Sequence, residues 1–390
     1  MKIGFDARLI NETGVGRYIR NLLPLLIGKN KRNSWVVTVR GSERSILEES
    51  ISPFIGQVKI IEVNARWHSF YEQLVIPFTF YKEGVDILHI PYINVPFFYF
   101  KRMVVTIHDL TVLTNKTGRA STLNPLFYSI KRLGYNFALK KALKSEFIFT
   151  VSYSVKNEIL EKFPKIKSEK IIVTYNGLSA LNKSRNIKLK KTINNYKPYF
   201  FYVGNAHPHK NLEFMVLTLD KFFQKFSGYK MIISGRNDYF MRRIFSIINK
   251  RKTKDNFIFV ENPSDSDLYD YYKNSELVIL PSLKEGFGMQ ILESMQTESL
   301  IVASNISAYK EVGNNLCTYF DPTSKRSFVL ALHRTLKISK KEREDLFKRY
   351  RVHLKKFSWN DNAKQVLNTY VDNKSPRNKT LMISPGNESN

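Results

Sequence analysis

The sequence predicts an α/β chain made of two doubly wound lobes that face each other across a cleft. Short β-rich runs alternate with longer helical patterns from end to end, which is how parallel strands joined by crossover helices read. There are thirteen such runs, too many for one comfortable open sheet. At 390 residues the chain also exceeds a single ordinary core, since cores stop growing near ~250–300 residues.

In the first half the strand candidates are Ile3–Phe5, Val36–Val39, Val58–Glu62, Ile87–Ile90, Val104–Ile107, Phe147–Val151 and Ile171–Thr174. In the second half they are Tyr199–Val203, Met231–Ser234, Phe257–Val260, Leu277–Leu280, Leu300–Ala303 and Thr318–Phe320. Between the two sets, Leu178 to Pro198 is polar and basic without sustained periodicity and reads as a linker. The expected boundaries are 1–177 for a first Rossmann-like domain, 178–197 for the linker and 198–356 for a second Rossmann-like domain. Residues 372–390 are too poor in apolar side chains to pack and read as a disordered tail. No short fixed period is visible, which argues against a solenoid or propeller.

With 43% hydrophobic and 25% charged residues, most of the chain should fold as a soluble globular protein. The sign of the charge is unusual: 62 Lys and Arg against 34 Asp and Glu give a formal +28. Such an excess fits a nucleic-acid partner, an anionic membrane surface or a compositional bias of the source. The single cysteine, Cys317, excludes an intrachain disulfide and is expected to be a small buried side chain. The opening residues lack a signal-peptide pattern, and the apolar run Ile87 to Phe100, broken by Pro91 and Pro96, falls short of the ~20 residues that span a bilayer. The reading is a cytoplasmic protein without a spanning helix.

Doubly wound folds bind ligands at the carboxyl ends of their strands, so candidate residues are sought there. After the first strand, Gly14 and Gly16 precede an amphipathic run, where backbone amides and a helix dipole can meet a phosphate; a plain tight turn is the other reading. The third glycine of the dinucleotide fingerprint is missing, which disfavours NAD. His108 and Asp109 close the strand Val104–Ile107, either as a hydrogen-bonded structural pair or as an imidazole beside a sugar or diphosphate. No HxH, HExxH or CxxC spacing accompanies them, so no metal is expected. Following Tyr199–Val203 come Gly204, His207, His209 and Lys210, the lysine at a helix entrance where it can neutralise a leaving diphosphate or stand as a solvated charge. Gly235 and Arg236 end the next strand.

The stretch PSLKEGFGMQILESMQ, Pro281 to Gln296, is the most informative. Glu285, Gly286, Phe287 and Gly288 form a turn whose glycines permit positive φ, and Glu293 falls on the helix that follows. The two carboxylates are expected roughly 10 Å apart, suited to holding two ends of one extended ligand. A glycosidase would also use two carboxylates, about 5–9.5 Å apart, but would leave two nucleotide-type lobes without a purpose.

From GFDARLINETGVGRYIRNLL through TIHDL, TVSYSVKNEI, YNG, YVGNAHPHKNL and PSLKEGFGMQILESM to FSWNDNAKQVLNTY, the chain resembles the retaining nucleotide-sugar glycosyltransferases of family 4, group 1. The resemblance implies a GT-B fold, with residues 357–371 forming a last helix that crosses back to the first lobe. It implies that Glu285 contacts donor-sugar hydroxyls, that Gly286, Phe287 and Gly288 present amides to sugar and phosphate, and that Glu293 binds the ribose. Lys210 would hold the diphosphate with help from Gly14 to Gly16, and His108 would sit by the reacting sugar. The sequence departs from the family at His209, where a strong cation is usual, at Gln290 for proline, at Ser294 for alanine and at Glu298 for glycine. If His209 compensates, pH dependence follows. No DxD-type aspartate pair stands on a strand end, so leaving-group charge falls to Lys210 and helix dipoles, without a metal or other cofactor. The resemblance implies retention by front-face attack, with no protein nucleophile.

The run Asn124 to Phe147 places Leu126, Ile130, Leu133, Phe137 and Leu143 at near-helical spacing among Lys131, Arg132, Lys140, Lys141 and Lys144. It reads as a domain helix with a solvated face or as an interfacial helix on anionic lipid. The expected function is transfer of a hexose, mannose from GDP-mannose, to a lipid-linked or growing surface polysaccharide at the inner membrane face. Alternatives are a soluble transferase making a glucan or small glycoside, a binding-only relative, and a basic nucleic-acid-binding protein; no nucleic-acid module is found for the last.

Overall fold

A computed structural model describes residues 1–30, 32–65, 69–114, 125–179, 181 and 187–371. The first sheet comprises β1 (Lys2–Asp6), β2 (Ser34–Val39), β3 (Val58–Glu62), β4 (Ile87–Ile90), β5 (Met103–Ile107), β6 (Phe147–Thr150) and β7 (Ile171–Val173). Its order is β3-β2-β1-β4-β5-β6-β7, all parallel. The second comprises β8 (Tyr199–Val203), β9 (Lys230–Gly235), β10 (Phe257–Glu261), β11 (Leu277–Leu280), β12 (Ile301–Ser304) and β13 (Thr318–Phe320). Its order is β10-β9-β8-β11-β12-β13, again parallel. Central strands such as MVVTI and LVIL are buried on both faces, which is why they read as continuous apolar runs rather than alternating ones.

The helices covering the first sheet are α1 (Thr13–Lys29), α2 (Arg44–Ser50), α3 (Phe70–Lys82), α4 (Thr111–Thr114), α5 (Pro125–Ala142) and α6 (Tyr153–Lys162). After these come α7 (Ile187–Tyr196), α8 (Leu212–Lys225), α9 (Tyr239–Ile248), α10 (Asp265–Asn274), α11 (Met289–Gln296) and α12 (Ser307–Gly313). The chain closes with α13 (Lys325–Leu336), α14 (Lys340–Leu354) and α15 (Trp359–Val371).

Three sequence expectations change. The segment read as an unstructured linker contains α7, because Leu189, Ile193 and Tyr196 recur at helical spacing and pack toward the second lobe; residues 180 and 182–186 of that segment lie outside the described ones. The basic helix ends at Ala142, with Leu143 buried, while Phe147 opens β6 and Leu133 and Phe137 stay exposed. The side chains of Leu126, Ile130, Lys131 and Arg132 lie outside the described ones, as do Asn124 and the tail 372–390. Cys317 is free and only partly covered rather than fully buried.

The last helix crosses back as expected. Trp359, Ala363, Val366 and Tyr370 of α15 share a core with Tyr18, Leu22 and Leu26 of α1. The Tyr370 hydroxyl lies 2.6 Å from Nδ1 of the buried His89 on β4. Gly177 is required here, since a Cβ would collide with the Trp359 backbone nitrogen.

Candidate active site

In each sheet the strand order reverses once, between β1 and β4 and between β8 and β11. Connections leaving such a pair diverge to opposite faces and open a crevice at the carboxyl ends. In the second lobe the two segments that diverge carry Lys210, after β8, and Glu285, after β11, and these side chains meet. Lys210 Nζ donates to Glu285 Oε1 at 2.6 Å. The same oxygen accepts from Ser282 Oγ at 2.7 Å and from the Tyr309 hydroxyl at 3.1 Å. Burial pushes the Glu285 carboxyl up, but the Lys210 ammonium and these donors outweigh it, and the group is held below its ordinary range. The pair is a buried carboxylate with its own cation.

Glu293 lies on α11, buried, with Oε2 accepting from the Tyr272 hydroxyl at 2.7 Å. Its Oε1 is taken by Arg17, which reaches over from α1 of the first lobe and also lies 3.4 Å from Asp265. The two carboxylates of the PSLKEGFGMQILESMQ segment thus have cations from different lobes, Lys210 from the second and Arg17 from the first. Gly288, at φ +99, sets the entrance to α11, and a Cβ there would meet the Tyr309 ring at 2.7 Å. Sequence reasoning missed Arg17; its signal was a cation directly after the glycine pair, at the start of the helix leaving β1.

A cavity of about 390 Å³ opens between the lobes, lined by Gly14, Arg17, Gly204, Lys210, Arg236 and Asp265 among others. Four of the expected donor-site residues, Gly14, Gly204, Lys210 and Arg236, are therefore gathered there. Arg236 is exposed and lies 3.4 Å from the Asn11 carbonyl oxygen. Gly16 faces elsewhere: a Cβ on it would collide with the Ile10 carbonyl, so it serves the close packing of α1 on the turn that precedes it.

Phe287 is buried in an aromatic cluster with Tyr175 and Phe357, ring centroids 6.1 and 5.9 Å away. Gly286 joins the lobes: its carbonyl accepts from Ser152 Oγ at 2.6 Å, and a Cβ would collide with the His108 carbonyl oxygen. His108 places Nε2 3.0 Å from the Pro91 carbonyl and its ring against the edge of Tyr18. Burial lowers its pKa, so the neutral ring donates from Nε2 and keeps Nδ1 as an acceptor. Asp109 accepts from the Thr111 amide at 2.7 Å and so shapes the following turn.

His209 stacks on His207, ring centroids 5.8 Å apart. Burial, reinforced by the Lys210 cation, lowers it to about 4, so in this cleft it is neutral at pH 7 rather than a second cation titrating near neutrality. The other departures from the family pattern are accommodated. Gln290 occupies the second position of α11, where the amide has no helical partner, so proline and glutamine both fit. Ser294 turns its hydroxyl back onto the Gln290 carbonyl at 2.7 Å. Glu298 adopts φ +54, the conformation that favours glycine, with its carboxylate held by Lys273 at 2.8 Å and by Arg351. The turn is kept and two ion pairs are added.

The lobes are tied at further points. Glu311 of α12 accepts from the Tyr153 and Ser154 amides, both at 2.7 Å, placing a carboxylate at the N-terminus of α6. Lys284 pairs with Glu158. Among the described residues no group of three or more His, Cys, Asp and Glu side chains could hold a metal ion.

Residues 183–352 match the family described as glycosyl transferases group 1. The chain is 28% identical over 275 residues to the O-antigen chain mannosyltransferase RfbU of Salmonella typhimurium, covering 70% of this chain and 73% of that protein. It is 25% identical over 279 residues to O-antigen chain mannosyltransferase B of Escherichia coli, covering 69% and 70%. In structure it is similar to Anabaena Alr3699/HepE, solved in complex with UDP and glucose, with a TM-score of 0.70, 15% identity and coverage of 95% and 99%. The fold is GT-B. The second lobe thus matches glycosyl transferases group 1, and the relatives and the fold agree with a glycosyltransferase.

Proposed function

We propose that the protein is a retaining, metal-independent hexosyltransferase that moves mannose from GDP-mannose to a lipid-linked or growing surface polysaccharide, such as O-antigen, capsule or exopolysaccharide. The observation that carries this reading is the interlobe cavity lined by Lys210 and Arg17, each cation bonded to a carboxylate behind it, Glu285 and Glu293 respectively. A nucleotide sugar presents the matching groups: a diphosphate for the cations, sugar and ribose hydroxyls for the carboxylates. The named relatives, both O-antigen mannosyltransferases, support the choice of sugar and acceptor.

In this reading Lys210 leaves its contact with Glu285 in part to meet the diphosphate, and Glu285 accepts from the sugar hydroxyls. The bond from the anomeric carbon to the phosphate oxygen breaks while Lys210 offsets the growing charge. The acceptor oxygen bonds to the same face of that carbon, and its proton passes to the departing phosphate oxygen. His108 offers Nδ1 to a sugar hydroxyl. The enzyme works peripherally at the inner face of the cell membrane, where its formal +28 favours anionic lipid. Among the described residues no helix is long and apolar enough to cross a membrane.

A thermal-shift panel of GDP-mannose, GDP, UDP-glucose and UDP-galactose tests the donor, followed by transfer of labelled mannose to a lipid-linked acceptor. A selective shift with GDP-mannose and a retained anomeric configuration are expected. No shift with any donor, or a shift with a uridine donor only, overturns the assignment.

A further inference from the structure

Helix α3 turns an apolar face outward. Glu72, Gln73, Ile76, Pro77 and Phe80 point into the first lobe, whereas Phe70, Tyr71, Leu74 and Phe78 follow each other along the solvent side, with Lys82 completing the stripe. Phe70 is 75% exposed and Phe78 66%. An outward face of a soluble helix is ordinarily polar, and contiguous exposed apolar surface marks an interaction site.

The face does not stop at α3. The segment after β4 runs alongside it, pinned by Gln73 Oε1, which accepts from the Phe97 amide at 2.7 Å, and by the Tyr81 hydroxyl, which accepts from the Phe100 amide at 2.7 Å. That segment exposes Phe98 and, at 77%, Phe100. On the other side of Phe100 stands α5, whose Lys141 Nζ sits 4.4 Å from the Phe100 ring centroid. The outward stripe of α5 reads Leu133, Phe137, Lys141, and Lys144 follows in the turn after the helix, apolar first and basic after. Lys101 lies similarly over Tyr81, at 5.5 Å. Five of the six exposed phenylalanines of the described residues belong to this one region, the sixth being Phe226 in the other lobe. The concentration is local and not a feature of the whole surface.

The cations are placed to complement an anion. Lys101 and Lys141 stand directly over aromatic rings of the patch, and the Lys141 pKa is lowered by burial and by neighbouring Lys144. The position relative to the cleft is also fixed. Arg8, two residues past β1, donates to Asp6 and to Glu72 of α3, each at 2.7 Å and all three buried. Asn94 adds a bond to Glu72 at 2.8 Å. This ion network anchors the start of α3 to the carboxyl edge of the first sheet, where the cleft opens, while the end of α3, Phe100 and Lys141 lie toward the amino edge, where Lys2 Nζ donates to the Glu83 carbonyl at 2.8 Å.

We propose that the outward face of α3, the segment 97–101 and the exposed stripe of α5 form one surface that docks on an anionic lipid bilayer. The phenylalanines enter the headgroup boundary, while Lys82, Lys101, Lys141 and Lys144 meet lipid phosphates. The inference rests on the peripheral-enzyme reading above and deepens it by moving the main apolar contact from α5 to α3, laid lengthwise on the bilayer with its start toward the cleft. A lipid-linked acceptor would then reach the cleft without leaving the bilayer.

Co-sedimentation with phosphatidylglycerol/phosphatidylethanolamine vesicles and with phosphatidylcholine vesicles, at low and high salt, tests it. The full chain is expected to bind the anionic vesicles at low salt. The variant Phe78→Ser/Phe100→Ser is expected to lose at least tenfold in vesicle affinity, and Lys101→Glu/Lys141→Glu to lose binding to anionic vesicles alone. Each variant should keep the thermal midpoint and the donor-induced thermal shift of the unaltered protein. Variants that bind vesicles like the unaltered protein overturn the proposal. So does a dimer by light scattering that Phe78→Ser/Phe100→Ser dissociates, since a second copy would then cover the face. Loss of the donor shift with intact vesicle binding would sink the transferase reading and leave this surface standing.

Discussion

Arg17 of the first lobe holds the Glu293 carboxylate of the second, while the Tyr272 hydroxyl takes the other carboxylate oxygen. The group assigned to the ribose is thus satisfied by a cation from across the cavity. A nucleotide sugar carries both a diol for Glu293 and a diphosphate for Arg17, so donor binding can exchange one contact for two. Arg17→Ala is expected to weaken nucleoside-diphosphate binding about 10–100-fold, the worth of a charge-assisted hydrogen bond of ~1.5–3 kcal/mol. Binding of the bare nucleoside should stay level or tighten. Calorimetric titration with GDP and guanosine distinguishes this from a purely structural bridge, for which both ligands would weaken alike.

The Lys210–Glu285 pair supports a sharper split between stability and rate. Truncating Lys210 leaves a buried carboxylate without its cation, a loss of about 3 kcal/mol at the low end for such pairs. It also removes the charge facing the leaving diphosphate, for which about 10²–10³-fold in kcat is expected. In Lys210→Met/Glu285→Gln both charges are gone, so the denaturation midpoint should recover toward that of the unaltered protein while turnover stays lost. Recovery of both would show that the pair is structural only.

The fold was legible because its strands are continuous apolar runs, and such runs need no tertiary information to be seen: LVIL and YFFYV fall where they were expected. The α7 helix was hidden because lysines and asparagines surround its three spaced apolar residues, and its stability comes from the lobe it packs on. At the site, the segment carrying Glu285 and Glu293 was legible from its glycines and carboxylates, whereas their partners were only partly so. Lys210 announced itself by its place after a strand. Arg17 is separated from Glu293 by 276 positions, and nothing local specifies that pairing. Phe287 was read for its backbone amide alone; the place of its ring in the aromatic cluster with Tyr175 and Phe357 was not legible, because a one-dimensional motif does not record which way a side chain points.

His89 makes the attachment of α15 sensitive to acid. Its ring is fully buried, with Nδ1 2.6 Å from the Tyr370 hydroxyl and Nε2 2.8 Å from Thr106 Oγ1. Burial lowers its pKa to about 3, whereas an unfolded histidine titrates near ~6.5. Between those values the unfolded chain binds a proton that the folded chain does not, so stability falls as the pH drops from about 6.5 toward 3. In His89→Gln, which can still hydrogen-bond, the plot of melting temperature against pH should be flatter over pH 6 to 4 than in the unaltered protein. Parallel curves for the two would remove His89 as a source of the slope.

Gly286 sets how closely the lobes can approach. Its carbonyl accepts from Ser152 Oγ at 2.6 Å, Ser152 in turn accepts from the Val155 amide at 3.1 Å to cap α6, and a Cβ at 286 would collide with the His108 carbonyl oxygen. That obstacle is backbone on both sides, so no side-chain rotation relieves it. Gly286→Ala must therefore hold the lobes apart or distort the turn that carries Glu285. Each lobe has its own sheet and a core cluster of its own beside the one they share, so the variant should still fold. Because Arg17 and Glu293 sit on opposite lobes, separation should weaken GDP binding about as far as Arg17→Ala does. Transfer should fall about 10²-fold or more, the cost of an ångström-scale misplacement of reacting groups. Small-angle scattering checks the geometry through an increased radius of gyration, and a transfer assay checks the rate. Unchanged scattering together with full transfer would show that the cleft accepts a side chain at 286 and that lobe contact at this point is not needed for catalysis.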